Sequence, residues 1–460
     1  MRVGGARRPG LVLLAWAAGL ALSGCFHPPA GRTPDMPLPA QAAFVASGDT
    51  ALASCWWRAL GDAGLDTQVQ RALTANRDLL GKWHAVREAR AVARRTRAQR
   101  SPRLDVTSDA SVSRSSRDDE DGFGIGAAAA FEVDLHGKLA AAWHADVLLA
   151  RARLSDHRTA ALSLSAEVAR TWYRLAEAEA QAGLAREQVA TNHQILGLME
   201  PRVAAQQLRS VDLLRQEGLV EATRERIIDA EADAQLLRHE LAVLVGGLAG
   251  AAEDGPPPAL VALPELPATG VPIEQLRGRP DVQAAAERVM AADQELGVAL
   301  RDRYPRLELS AVSGSADAVF REFVATFAAG LLGPVLDGGH RRAEVDRTRA
   351  QRDRLCADYA QTVLVAFREV QDALVEERRQ RDRLESLARQ LDVSEQASTR
   401  LREDYLAGQG SYLDVLSALT DEQEIRREQL ETRRLVLEAR IGLYRALAGS
   451  TGFCCKEDMP

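Results

Sequence analysis

The sequence repeats itself once along almost its whole length. Pro102, Arg103 and Leu104 recur as Pro305, Arg306 and Leu307, an offset of 203 residues from 102 to 305, and Asp78 stands before Asp281 at the same offset. Further on, Gly137 matches Gly339, Val168 matches Val370, Asp212 and Leu213 match Asp414 and Val415, and Gly246-Gly247 maps to Ala448-Gly449, all at 202. One residue has therefore been lost in the second copy, between its second strand and the helix that follows. Solenoid repeats are roughly 20–50 residues long, so a period near 200 means that a whole structural unit was duplicated.

Each half reads as a helix, two strands and two long helices, which makes the class α+β on a duplicated helix-strand-strand-helix-helix unit. In the first half, 67–100 lacks proline and stops ahead of Ser101-Pro102, as a helix before Pro should. Strands are then expected at about 102–113 and 123–135, with a polar, acidic loop 114–122 between them. Leu104, Val106, Ala110 and Val112 share one face against Arg103, Asp105, Thr107, Asp109 and Ser111, and Phe123, Ile125, Ala127, Ala129, Phe131, Val133 and Leu135 share another. The second half repeats this at about 305–313 and 323–336, with Leu307, Leu309, Ala311, Phe323, Ala325, Phe327, Ala329 and Leu331 on the apolar side.

Helical pattern fills 138–205 and 211–245, then 340–406 and 411–447. A helix of some 65 residues is a rod of roughly 100 Å, which no compact domain can contain. Composition agrees: 5% of residues are aromatic and 27% charged, and Lys+Arg 58 against Asp+Glu 65 leaves a net charge of -7 with the signs interleaved, so no nucleic-acid partner is expected. Pro201 lies in the last turns of the first outgoing helix where the second has Glu403. The connecting turn 206–210 also lacks the glycines of 407–410, so the two helix-helix turns are expected to differ in shape. Reading the whole gives a first repeat over 61–252, a Pro-rich linker 253–272, a second repeat over 273–450 and a C-terminal tail 451–460.

The amino terminus sets the compartment. Arg2, Arg7 and Arg8 precede an apolar run, 11–22, that is about 18 Å long as a helix and too short to span a bilayer, so 1–24 reads as a signal peptide. It ends in Leu22-Ser23-Gly24-Cys25, which resembles the lipobox of bacterial lipoproteins; the resemblance implies diacylated Cys25 as the mature amino terminus and, with Phe26 following, sorting to the outer membrane. Residues 25–60 then form a lipid-anchored tether. Later on there is no stretch of eighteen apolar residues, so any crossing must use strands. Four strands cannot close, and open edges are not tolerated in lipid, so chains must pool strands: two copies would give eight and a filled interior, three would give twelve and a lumen.

Several stretches together resemble the TolC-like outer-membrane efflux proteins, and within them the NodT-type lipoprotein branch. They are Trp56-Trp57 with Leu60 and Leu65, Asn76-Arg77-Asp78-Leu79, Phe131-Glu132-Val133-Asp134-Leu135 with Gly137, Arg279-Pro280-Asp281, Tyr304-Pro305, Gly333-Pro334-Val335 with Gly338-Gly339, and Tyr405-Leu406 with Gly408, Gly410, Ser411, Tyr412, Leu413, Asp414 and Val415. The resemblance implies a homotrimer with a twelve-stranded β-barrel in the outer membrane, four strands per protomer, joined to a long periplasmic α-helical barrel. It also implies a periplasmic adaptor (membrane fusion protein) and an inner-membrane RND-type transporter as partners, no catalysed reaction, and no cofactor beyond the lipid on Cys25.

In that family the inner helices near the tip form the gate, with acidic rings. The matching segment here is 411–421, where Asp414 and Asp421 lie seven apart on one helical face with Ser417 between them. Relatives usually carry Asp at the position of Ser417, so Asp414 or Asp421 is expected to supply the constriction instead. The two turns, with Gln207, Arg209, Ser210, Gly408, Gly410 and Ser411, form the candidate adaptor-docking tip. Phe123, Phe131, Phe323 and Phe327 are candidate membrane anchors. A lipid-tethered periplasmic coiled-coil scaffold or adaptor is the competing reading, although an adaptor carries one helical hairpin and compact β domains rather than a duplicated strand pair. The exported substrate is not written in the sequence: no methionine or histidine row points to metal.

Overall fold

A computed structural model describes residues 34–37, 43–48, 55–114, 119–250, 258–269, 272–315 and 324–447. Cys25, Phe323, Asp118, Cys454 and Cys455 lie outside them. The order is a 3-10 helix Trp56–Leu60, α1 (Ala63–Ala75), α2 (Arg77–Ala98), β1 (Arg103–Arg114), β2 (Asp119–Val133), α3 (Lys138–Ala204), α4 (Ser210–Leu244), α5 (Pro272–Gly278), α6 (Pro280–Arg301), β3 (Arg306–Ser315), β4 (Val324–Leu332), α7 (His340–Leu406) and α8 (Tyr412–Leu447). Contacts divide the chain into two compact units. The first gathers Ala89–Ala150 and Ala286–Cys356, the second Asp35–Glu88, Arg151–Ala285 and Ala357–Pro460.

In the first unit the strands form one antiparallel sheet in the order β1-β2-β3-β4. Its register carries an apolar stripe from each of the four strands onto one face, while Val312, Val324 and Leu332 fall on the other. Leu104 stands opposite Ala129 and Val106 opposite Ala127, Phe131 opposite Leu309 and Val133 opposite Leu307, then Leu307 opposite Leu331 and Ala311 opposite Phe327. That face is open: Leu104, Val106, Phe327 and Leu331 are 69%, 70%, 82% and 65% exposed. The other face carries Arg103 paired with Asp105 at 2.7 Å and, at the matching positions of the second copy, Arg306 near Glu308 at 3.9 Å. Residues 114–122 are not all loop. β2 begins at Asp119, which pairs with Arg114, because hairpin pairing is made by the backbone and continues through polar residues once both chain directions are set. At the other end β4 stops at Leu332, before Gly333-Pro334, where Pro would remove a ladder donor.

Capping contacts repeat with the sequence. Asp134 accepts from the Leu139 and Ala140 amides at the start of α3, while Asp337 accepts from Gly339 and Arg341 at the start of α7. Asp134 and Asp337 are 203 apart and Leu139 and Arg341 are 202 apart, so the missing residue lies between cap and helix, where Leu135-His136 faces Gly338 alone. Asp302 accepts from Lys138 and Arg341; burial pushes its carboxyl up, but the two cations outweigh that and hold it below the usual range.

In the second unit, the expected helix 67–100 is two helices. Asn76 adopts an extended conformation and serves two ends at once: its side-chain oxygen accepts from the Leu79 amide at 3.0 Å, and its amide donates to the Leu244 carbonyl at the end of α4, at 2.9 Å. Its repeat mate Arg279 does the second of these, while Asp281 does the first by accepting from the Val282 amide at 2.9 Å. Arg279 donates to the Ala446 carbonyl at 3.2 Å, near the end of α8, and is held by Asp281 at 2.7 Å and Glu369 at 2.8 Å. The Arg-Pro-Asp element is thus a helix clamp. The core beside it is built on Trp56 and Trp57, both essentially buried, with Leu65, Val69, Trp172, Tyr173, Leu437, Ile441 and Tyr444.

Residues 258–269 do not run loose between the repeats. Thr269 donates to Ser47 and Ala46, and Gly48 donates to Pro267, so the segment lies along 46–48. Arg440, wholly buried, donates to the Pro264 and Glu265 carbonyls at 3.0 and 2.9 Å and forks onto Glu377 at 2.7 and 2.8 Å. Burial opposes its charge and Glu377 more than compensates. Removing the acid would strand a buried guanidinium, so Glu377→Ala should cost about 3–5 kcal/mol in denaturant unfolding, against about 1 kcal/mol or less for Glu376→Ala, whose ion pair is exposed.

Candidate functional site

The expected gate and docking residues meet at the end of the second unit where α3 turns into α4 and α7 into α8. The two turns have the same shape, contrary to expectation. Ala205 donates to Pro201, Gln206 to Val203 and Gln207 to Arg202; 202 residues later Ala407 donates to Glu403, Gly408 to Tyr405 and Gln409 to Asp404. The helices stop at matching places too, at Ala204 and Leu406, so Pro201 and Glu403 do not make the halves differ. Pro201 forfeits one helical donor close to an end that was to come anyway. The lacking glycine is replaced by strain: Gln206 takes φ 59 where Gly408 takes φ 80.

Below the turns a small core holds the four helices together. Ile195, Met199, Tyr405, Tyr412, Val415 and Leu419 are buried against one another, and the rings of Tyr405 and Tyr412 lie 5.5 Å apart. Burial, with the Asp212 charge second, pushes the Tyr405 phenol up. A buried polar layer follows. Tyr412 donates to Gln216 at 2.6 Å, Gln216 to the Asn192 carbonyl at 2.7 Å, Asn192 to Thr223 at 3.0 Å and Gln423 to Asn192 at 3.1 Å. Tyr412 belongs to the stretch that carries the family resemblance, whereas Asn192, Gln216, Thr223 and Gln423 were not expected as a group. Their signal is Gln188 and Asn192 four apart and Gln216 and Thr223 seven apart, polar positions on otherwise apolar helical stripes. Arg202 ties the two turns by donating to the Leu406 carbonyl at 3.1 Å.

Asp212 and its repeat mate Asp414 have opposite fates. Asp212 is 3% exposed, gripped by Arg209 through two bonds of 3.1 and 3.2 Å and approached by Arg215 at 3.6 Å. The residues 202 positions after those arginines are Ser411 and Ser417. Asp414 consequently stands exposed, as do Ser417 and Asp421, on the side of α8 turned away from Tyr412, Val415, Leu419 and Gln423. The docking candidates Gln207, Arg209, Ser210, Gly408, Gly410 and Ser411 are all exposed, although Arg209 is anchored by its hold on Asp212. Among the described residues no group of three or more His, Cys, Asp and Glu is placed to hold a metal ion, and no helix is long and apolar enough to cross a membrane.

A sequence profile for the family described as "Outer membrane efflux protein" matches residues 68–247 and 271–449, two stretches that start 203 and end 202 residues apart. The pyoverdine export outer membrane protein OpmQ of Pseudomonas aeruginosa is 30% identical over 94% of this chain and 95% of its own. The cation efflux system protein CusC of Escherichia coli K12 is 27% identical over 95% of this chain and 99% of its own. A crystal structure of CusC superposes with TM-score 0.81 at 26% identity, covering 90% of this chain and 98% of that one. The open-state MtrE channel of Neisseria gonorrhoeae matches in fold, with TM-score 0.84 at 23% identity over 94% and 100% of the two chains.

The strained turn gives a direct test. Gln206→Gly should raise stability by about 0.5–1 kcal/mol, and Gly408→Ala should lower it by about 1 kcal/mol, since the left-handed conformation costs a side chain more than glycine loses in entropy. Thermal unfolding of the two variants beside the parent would check both signs.

Proposed function

This chain belongs to the outer membrane efflux protein family and is the outer-membrane channel component of a tripartite efflux system, and from that premise we propose how its own residues assemble, anchor and gate the duct. The relatives it matches are channels, and the fold is an α-helical barrel joined to an outer-membrane β-barrel. Three copies pool their strands into a twelve-stranded barrel. Four strands with an open apolar face and two unpaired edges support this reading, because hydrocarbon accepts neither an edge nor a partial barrel. Phe123, Phe131 and Phe327 then lie on the lipid-facing side, all on the apolar face by register. Cys25, outside the described residues, carries the lipid that tethers the amino terminus.

The tip carries the gate. Asp414 and Asp421, about 10 Å apart along α8, form two acidic levels in the trimer, with Ser417 between them leaving the passage uncharged at its own level. The single supporting observation is the exposed, unclasped state of Asp414 beside its buried mate Asp212. The exposed turns bearing Gln207, Arg209, Ser210, Gly408, Gly410 and Ser411 offer the docking surface for a periplasmic adaptor, which connects to an inner-membrane RND-type transporter. The duct itself does not choose cargo. One relative is named for pyoverdine export and another for cation efflux at similar identity to this chain, which supports selection by the transporter.

Single-channel recording in a planar bilayer tests the gate. Asp414→Asn or Asp421→Asn should raise the resting current and weaken cation preference. Unaltered current and preference in both variants would remove the acidic levels from the gate while leaving the channel intact.

A further inference from the structure

We propose that the cleft where the sheet joins α3, α6 and α7 binds a phosphate-type oxyanion, free or carried on an ester, through Arg301. The cleft has a volume of about 310 Å³ and lies wholly within the first unit, between the ends of β2 and β4, the start of β3 and the adjoining helix ends. Arg301 is the last residue of α6, lines the cleft and is 3% exposed. Among the described residues its Nε and Nη1 have no hydrogen-bond partner. A guanidinium stays charged when buried, so donors left unsatisfied there cost free energy that a bound anion would recover.

The carboxylates nearby are already occupied. Asp302 accepts from Lys138 and Arg341, and Asp134 gives one oxygen to the Leu139 amide and the other to the Ala140 amide. Burial pushes the Arg301 guanidinium down from its ordinary value, and the Asp134 charge opposes this only in part. Arg306 adds a further cation to the lining, with Glu308 no closer than 3.9 Å. In all, Lys138, Arg301, Arg306 and Arg341 stand against Glu132, Asp134 and Asp302, four charges against three, which leaves the cleft with one positive charge in excess. A tetrahedral oxyanion offers acceptors in several directions and carries up to about two charges at neutral pH, which suits donors arriving from separate side chains.

The second copy alone makes room for this arginine. A Cβ at Gly297, one turn earlier in α6, would stand 3.1 Å from the Arg301 Nη1. The residues 203 positions before Gly297, Arg301 and Asp302 are Arg94, Ala98 and Gln99, so the first copy has neither the glycine nor the guanidinium, and the cleft occurs once per chain. The helix dipole favours a cation at this end of α6, but exposed Arg303 would meet that need as well, and the dipole gives no reason to bury one. Glu132 and Arg306 belong to the polar face of the sheet, opposite Glu308 and Leu332 in register, so in the pooled barrel the cleft meets the water of the duct. A dissolved phosphate as the source, rather than a phospholipid headgroup, rests on that barrel reading; the oxyanion chemistry does not.

Calorimetric titration of inorganic phosphate into the full-length protein in detergent, at fixed ionic strength, tests the site beside the variants Arg301→Gln and Arg303→Gln. The parent should bind about one phosphate per chain, Arg301→Gln about tenfold or more weakly, and Arg303→Gln, exposed and outside the lining, as the parent does. In chloride alone Arg301→Gln should unfold no earlier than the parent, since it removes a buried unpaired charge, and phosphate should raise the thermal midpoint of the parent but not of this variant. Phospholipid retained by the parent and missing from Arg301→Gln, with phosphate binding only after the lipid is stripped, would keep the oxyanion site and overturn the duct as its source. Equal phosphate affinity in the parent and Arg301→Gln, or neither phosphate nor retained phospholipid on the parent, would overturn the site. Early unfolding of Arg301→Gln in chloride would overturn it too, by showing that the guanidinium already has a partner in the trimer. Binding is read on purified protein and conduction in a bilayer, so a failed site leaves the channel reading standing.

Discussion

Backbone amides and carbonyls at a strand edge need partners, and hydrocarbon offers none. A chain that carries four strands, with β1 and β4 unpaired on their outer sides and an apolar stripe from each of the four on one face, is an incomplete membrane element. Burial within the chain does not complete it, since β4 is exposed along its whole length. Pooling strands around a ring satisfies the edges and the apolar face together. The long helices extend this logic outside the bilayer, because helices of 67 residues present far more surface than four helices can cover among themselves. Leu214, Ile228 and Leu236 on α4 and Val393 on α7 remain well exposed.

Duplication explains which contacts are shared and which are private. Helix ends are treated alike in both copies: Asp134 with Asp337, and Asn76 with Arg279, each cap a helix or tie off the end of another. An amide and a guanidinium are different groups, yet each reaches a terminal carbonyl, which is the requirement that was kept. The last turn of each helical hairpin is also kept, even at the cost of holding Gln206 at positive φ. The polar layer is not kept. Asn192, Gln216 and Tyr412 form one buried chain of hydrogen bonds that crosses between the repeats, so it has no counterpart in either. A buried polar layer of this sort fixes helix register, because any slip leaves its donors unsatisfied.

Much of this was legible from the residues. Helix spans, the apolar alternation of the strands and the offset of the repeat follow from local periodicity, and the family resemblance follows from motifs in order. What escaped depended on distant partners. The break at Asn76 has no proline or glycine to announce it; it exists because Leu244, 168 residues away, needs a donor. The early start of β2 at Asp119 depends on β1 continuing to Arg114, and the docking of 258–269 depends on Arg440, some 175 residues later. The likeness of the two tip turns was hidden for a different reason. Glycine content reports what a conformation costs, not whether surrounding helices impose it, and four helices packed on Tyr405 and Tyr412 impose it.

The same comparison accounts for the exposed carboxylates at the tip. Asp212 and Asp414 occupy equivalent positions at the start of equivalent helices, where a carboxylate is favoured by the helix dipole. In the first copy Arg209 and Arg215 neutralise it and draw it into the packed tip. In the second copy both arginines are serines, Ser411 caps the helix through the Leu413 amide, and the charge of Asp414 is left for whatever approaches the outer side of α8. Ser417 is therefore more than the absence of an acid from the proposed gate. It is the position at which an arginine would have spent the negative charge of Asp414 locally, and its short neutral side chain keeps that charge available, with Asp421 two turns further along the same exposed face.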